Sequence, residues 1–207
     1  YEKKLANGNS LSGGVWHTQS FSDNEYRNGH DYETHMDQSA SSIYGEFKGK
    51  VRKLDYMLGV ELARLYYKQE GTDDSDQFYT FNPRFTLQYA LPGQSFIRLK
   101  GYVGNLSPSL GNLNAVEQVI DSLQLQRGNP RLESYMSYLL DLNYEYQKGI
   151  FYALVNGTYE YVPNAIMDEK YQEGNKIIQT WNNQKNWQRV VGFAMFRVGP
   201  IKDILQF

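Results

Sequence analysis

The chain has 207 residues, with 21 Lys+Arg against 23 Asp+Glu, a formal net charge of −2 and no cysteine. A near-neutral balance offers no concentrated positive surface for phosphate, which sets nucleic acid aside as a partner. The absence of cysteine excludes disulfides, a thiolate zinc site and a cysteine nucleophile. Mean hydropathy is −0.63 and no run of about eighteen apolar residues exists, so a transmembrane helix is excluded; a barrel strand, which shows lipid only alternate residues, is not.

Tyrosine is abundant at 18 residues, beside 10 Phe and 3 Trp. Such rings suit a pleated, half-buried surface, and Tyr and Trp also collect where an apolar slab meets water. An aromatic-rich soluble β-sandwich has the same composition, so composition leaves both open. The chain begins at Tyr1 without an initiator Met, a basic segment or an apolar signal core, which predicts a mature or internal fragment.

In chain order, alternation of period two predicts strands over 11–21, 34–50, 54–69, 78–91, 95–105, 133–147, 150–162 and 176–198, and a last one from about 202. Between 54 and 66 the apolar set is Leu54, Tyr56, Leu58, Val60, Leu62 and Tyr66, broken only by Arg64. Phe85, Leu87, Tyr89 and Leu91 form the next set. Tyr138, Leu140, Leu142, Tyr144 and Tyr146 follow, then Phe151, Ala153, Val155, Gly157, Tyr159 and Tyr161. The alternates are mostly polar. Helical spacing of the same windows mixes Asp, Asn and Glu with Leu and fails. Residues 113–126 are the exception: Val116, Val119, Ile120 and Leu123 fit a short helix, against which stands an irregular loop.

Connections between these strands alternate in length. Polar SDNEYRNGHDYE precedes short VRK; QEGTDDSDQ precedes the turn at Pro92-Gly93. The insert 106–132 precedes Gln147-Lys148-Gly149, and PNAIMDEKYQEGN precedes Gly199-Pro200-Ile201-Lys202. In an up-and-down meander every second connection lies at one end, so all short turns gather at one end and all long loops at the other. Outer-membrane barrels have this asymmetry, and a Greek-key sandwich has no cause for it. The fold expected is all-β, an antiparallel meander forming a transmembrane β-barrel or an arc of a larger one. An odd strand count favours the arc.

Residues that carry chemistry are sparse. His17, His30 and His35, with Asp31, Glu33 and Asp37, fall in and beside a polar loop, where scattered ligand-type side chains are ordinary. Asp73, Asp74 and Asp76 lack the spacing and closing Glu of a calcium loop. No G-x-S-x-G elbow or phosphate cradle followed by a crossover helix is present. The expectation is no enzyme, with no catalytic, cofactor-binding or metal residue. Interior glycines Gly45, Gly49, Gly59, Gly101, Gly157 and Gly192 are read as serving either curvature and close approach or ordinary bulges.

Several segments resemble the barrel region of TonB-dependent receptors, of the Bacteroidetes-type outer-membrane β-barrel protein family. NPRFTLQY at 82–89 resembles a strand opening of that family, and NLSPSLGNLN at 105–114 a stretch that follows the next strand. Gly128-Asn129-Pro130, with Leu132 and Glu133 or Ser134 following, is similar to a family signature that closes a long loop and launches a strand. VPNAIMD and TWNNQKNWQRVVGF resemble later segments of the family, and coverage runs from about residue 40 onward.

The resemblance implies one barrel region over 1–207, partial, with the plug domain and signal peptide outside this chain, located in the cell outer membrane. It implies uptake of a scarce ligand, a metal chelate or an oligosaccharide. Membrane lipid is the expected surroundings, and a TonB-type energy-coupling protein would act through the missing N-terminal region. A passive porin or structural barrel and a soluble β-sandwich binding module are the alternatives. The long loops are the expected ligand contacts, above all 106–132 and 163–175. Tyr171 and Trp181 with Asn182, Asn183 and Gln184 suit a sugar as well as they suit an aromatic girdle.

Overall fold

Strands occupy the windows where apolar and polar residues alternate. The computed structural model describes residues 1–5, 8–26, 32–69 and 75–199. In chain order these hold β1 (Glu2–Lys4), β2 (Ser10–Tyr26), β3 (Tyr32–Val51), β4 (Leu54–Gln69), β5 (Ser75–Ala90) and β6 (Phe96–Leu106). There follow α1 (Leu110–Leu113), β7 (Gln118–Val119), β8 (Gln124–Gln126), β9 (Tyr135–Lys148), β10 (Phe151–Glu173) and β11 (Lys176–Val198). His30, Asp31, Asp73, Asp74, the Asp76 side chain, Phe207 and the strand expected from about 202 lie outside the described residues.

All eleven strands join one sheet in the order β1-β2-β3-β4-β5-β6-β9-β10-β11-β8-β7. From β1 to β11 every neighbour is antiparallel; β8 joins the far edge of β11 in parallel. This is an open arc of an up-and-down meander. The turns after β3, β5 and β9 stand at one end, built on Arg52 (φ 54°), Gly93 (φ 80°) and Gly149 (φ 56°). At the opposite end stand the β10–β11 turn and the insert between β6 and β9.

Directly opposed residues share a face, so the register decides what lipid or water meets. Val15 opposes Ile43, which opposes Leu62, which opposes Phe81. Lower down, Phe47, Leu58 and Phe85 are consecutive partners, and Phe85 opposes Gly101, then Leu140 and Tyr159. The apolar sets read from the sequence therefore merge into a belt crossing eight strands. Residues 54–62 of β4 span it, matching the roughly nine to eleven tilted residues a hydrocarbon core requires. Belt side chains point outward: Leu58 is 53% exposed, Leu142 51% and Phe196 69%.

The other face is polar and concave. Ser42, Thr80, Asn82 and Ser137 are buried on it. Glu46 takes Arg84 at 3.0 Å and Lys48 at 3.1 Å, and Trp16 Nε1 donates to Glu61 at 2.9 Å. Asp141 accepts from Asn156 and Thr158, while Glu160 accepts from Ser137 and Arg189. Charges facing inward beside apolar residues facing outward invert the arrangement of a water-soluble sandwich. The buried apolar residues confirm this: Met36, Leu113, Leu125, Leu132, Val162, Ala165 and Ile178 all lie at the long-connection end or in the insert.

Two expectations are corrected. The loop assigned to 163–175 is strand: β10 continues to Glu173 and pairs with β11 through to Lys176, and only Gly174 (φ 61°) and Asn175 turn the chain. Polar alternation above the belt has no apolar partner set to betray it. The helix weighed for 113–126 is absent, and that stretch is not an irregular loop either. It holds β7 and β8, with a turn in which Asp121 Oδ1 accepts from the Leu123 and Gln124 N–H groups at 2.7 and 2.8 Å. β-Branched Val116, Val119 and Ile120 disfavour the helix, and the edge of β11 supplies partners to β8.

Candidate ligand-facing site at the long-connection end

The insert between β6 and β9 leaves the wall and folds onto the concave face. Its first anchor is apolar: Leu113 and Leu132 bury themselves against Met36 of β3, with Tyr67 of β4, Ile166 of β10 and Trp181 of β11 packed around them. A backbone anchor comes next. Ile177 N–H donates to the Leu123 carbonyl at 2.7 Å, and Arg127 N–H donates to that of Gln179 at 2.9 Å, extending the parallel β8–β11 pairing.

Gly128-Asn129-Pro130 closes the insert on itself. The Gly128 N–H donates to the Asn114 carbonyl at 2.9 Å and the Asn129 N–H to that of Asn112 at 2.6 Å. A Cβ on residue 128 would overlap the Asn114 carbonyl, so only glycine permits this approach. Asn129 turns the chain with Oδ1, which accepts from the Arg131 N–H at 3.0 Å, and reaches β11 with Nδ2, which donates to the Trp181 carbonyl at 3.0 Å. Glu133 then locks into the wall. Its N–H donates to Asn183 Oδ1 at 2.9 Å, its carbonyl accepts from Asn183 Nδ2 at 3.0 Å, and its carboxylate accepts from Asn164 at 3.1 Å.

Arg127 adds a charged tie, bonded to Glu117 within the insert and 3.6 Å from Glu173 at the tip of β10. The hydrogen bond it donates to the Glu117 carboxylate holds its guanidinium above the ordinary arginine value, so it stays charged.

Two recesses flank the docked insert and share Tyr135. One, of about 460 Å³, lies between Tyr67, Phe78, Asn105, Arg131, Glu133 and Ser134. The other, of about 360 Å³, lies between Ser107, Asn112, Asp168 and Trp181. Both are lined by polar and aromatic groups. In the first, Asn105 Oδ1 and Ser134 Oγ are buried and make no hydrogen bond among the described residues. An acceptor and a hydroxyl left so are the groups a polar ligand would satisfy.

The residues singled out from the sequence divide. Trp181 and Asn183 hold the insert. Tyr171 is 40% exposed near the hairpin tip, and Asn182 donates to Glu169 at 3.1 Å. Gln184 is exposed. His17 contacts Ser41, whereas His35 sits 2.7 Å from Asp23 and 3.9 Å from Glu33. Among the described residues no three His, Asp or Glu side chains stand so that they could hold a metal ion. Tyr135, Asn105 and Ser134 were missed, since nothing in their spacing marks a recess built by a distant insert.

A family model for an outer membrane protein beta-barrel family matches residues 9–206. The chain belongs to that family. The barrel reading of the strands and belt is thereby established, and with it the outer membrane as the location. The siderophore receptor PirA from Pseudomonas aeruginosa shares the fold, with a TM-score of 0.50 at 11% identity over 96% of this chain and 49% of the receptor. A ferric enterobactin receptor, PfeA, from the same organism gives 0.49 at 13% identity over 96% and 39%. The chain therefore spans about half the length of the first receptor or less of such proteins. No curated protein matches it.

Proposed function

We propose that this outer-membrane barrel chain forms the wall and outward end of a receptor for a scarce small ligand, a metal chelate or an oligosaccharide. Uptake would be driven by a TonB-type energy-coupling protein acting through a region outside this chain. The observation that carries this reading is the insert docked across the concave face, which leaves the polar recess around Asn105, Ser134 and Tyr135. The fold shared with a siderophore receptor supports the same class.

The ligand is sought by binding to the full-length protein in outer-membrane vesicles, with ferric catecholates and oligosaccharides as the two probe sets. Leu132→Asp, which frees the insert, is expected to weaken binding by at least about tenfold while the folded barrel still migrates heat-modifiably in detergent electrophoresis. Uptake that continues unchanged after the energy-coupling protein is removed would overturn the driven-receptor reading.

A further inference from the structure

Arg64 interrupts an otherwise apolar outward set, and the concave-face network makes no use of it. Its place is specific. In register, His17, Ser41, Arg64 and Tyr79 form one transverse row across β2 to β5, directly above the apolar row Val15, Ile43, Leu62 and Phe81. Between the rows lies a shallow groove of about 600 Å³ on the outward face, lined by Val15, His17, Ser41, Ile43, Leu62 and Arg64. Further down, opposed Gly13 and Gly45 place no side chain on the outer surface, and nothing stands within 4 Å of a Cβ at Gly45. The groove so continues downward into the belt.

Charge at the top of the groove is unbalanced. Arg64 is exposed, donates to Gln77 at 3.0 Å and lies over the Tyr66 ring at 5.7 Å; no carboxylate pairs with it among the described residues. Glu61 faces the concave side, held by Trp16. Among the described residues the nearest outward-facing acid in register, Asp37, lies two outward rows higher, directly opposes Lys68 and accepts from Gln19. His17 adds a ring nitrogen bonded to Ser41 at 2.8 Å.

A membrane barrel exposes its long connections outside, so this row lies at the outer leaflet's headgroup level. A cation that reaches lipid depth is costly unless it finds an anion there. We propose that the Arg64 groove is a binding site for one anionic, phosphate-bearing lipid of the outer leaflet, its acyl chain along Val15, Ile43 and Gly45 and its phosphate on the Arg64 guanidinium. Arginine suits the role because its planar fork meets phosphate with two parallel hydrogen bonds. The proposal stands on the outer-membrane location alone and is independent of the ligand taken up.

The test uses full-length protein in phosphatidylcholine vesicles with and without lipid A, with retained lipid counted by native mass spectrometry after detergent extraction. Wild type is expected to retain lipid A, and Arg64→Ala to retain about tenfold less, with Arg64→Lys between them. Ser41→Phe, which fills the groove and keeps the charge, is expected to lower retention as well, and it serves if Arg64→Ala does not fold. Equal retention by folded Arg64→Ala or by Ser41→Phe overturns the proposal. So does displacement by millimolar inorganic phosphate, which would mark a site for a free anion.

Discussion

A single missing methyl group decides whether the insert closes. Because residue 128 lies against two backbone carbonyls, Gly128→Ala is expected to destabilise the docked insert by about 2 kcal/mol and to leave the strands intact. Limited proteolysis of membranes would read this as faster cleavage within 107–134 with an unchanged heat-modifiable band. Arg52 is the converse case: it holds a left-handed φ of 54° in a two-residue turn where glycine or asparagine is at ease. Arg52→Gly is expected to stabilise the folded sheet by up to about 1 kcal/mol, read as a higher urea midpoint of refolding. Legibility in the sequence stops at this scale in an instructive way. The G-N-P turn was visible as a closure, but what it closes upon, Asn112 and Asn114, depends on an approach through space that no local pattern encodes. Arg64 was visible as an exception to alternation and invisible as part of a row, because a row needs register.

Strands and their connections obey different rules of legibility. Where one face is buried in lipid, period-two alternation is forced, and β3, β4, β6, β9 and β11 begin and end within a few residues of the windows read from it. Above the belt both faces meet polar surroundings, the constraint lapses, and the upper half of β10 passes for a loop. The insert was harder still, since β7 and β8 exist only because β11 offers them an edge. Two outcomes belong here. Leu142→Arg, near the middle of the outward belt, is expected to cost about 2–4 kcal/mol of stability in lipid, whereas Asn143→Ala on the opposite face stays within about 0.5 kcal/mol. Equilibrium refolding into bilayers measures both. A double-mutant cycle between Glu133→Ala and Asn164→Ala is expected to return a coupling of about 1 kcal/mol, read from the same protease protection of the insert.

At the scale of the whole molecule the sheet is an arc. The edge of β11 beyond its pairing with β8 carries no backbone partner among the described residues, and a bare strand edge is not tolerated in hydrocarbon. In the full-length protein the amides of Ala194, Phe196 and Val198, which point away from β10, are therefore expected to be protected from hydrogen exchange on the same scale as those of β9; rapid exchange there would mean that the wall ends at β11. Closure of this kind leaves one further consequence of the docked insert. Its apolar anchor touches β3 and β4 on one side and β10 and β11 on the other, strands that are several neighbours apart around the wall. It works as a chord drawn across a curve: the curvature of the wall and the width of the recess beneath the chord cannot change separately.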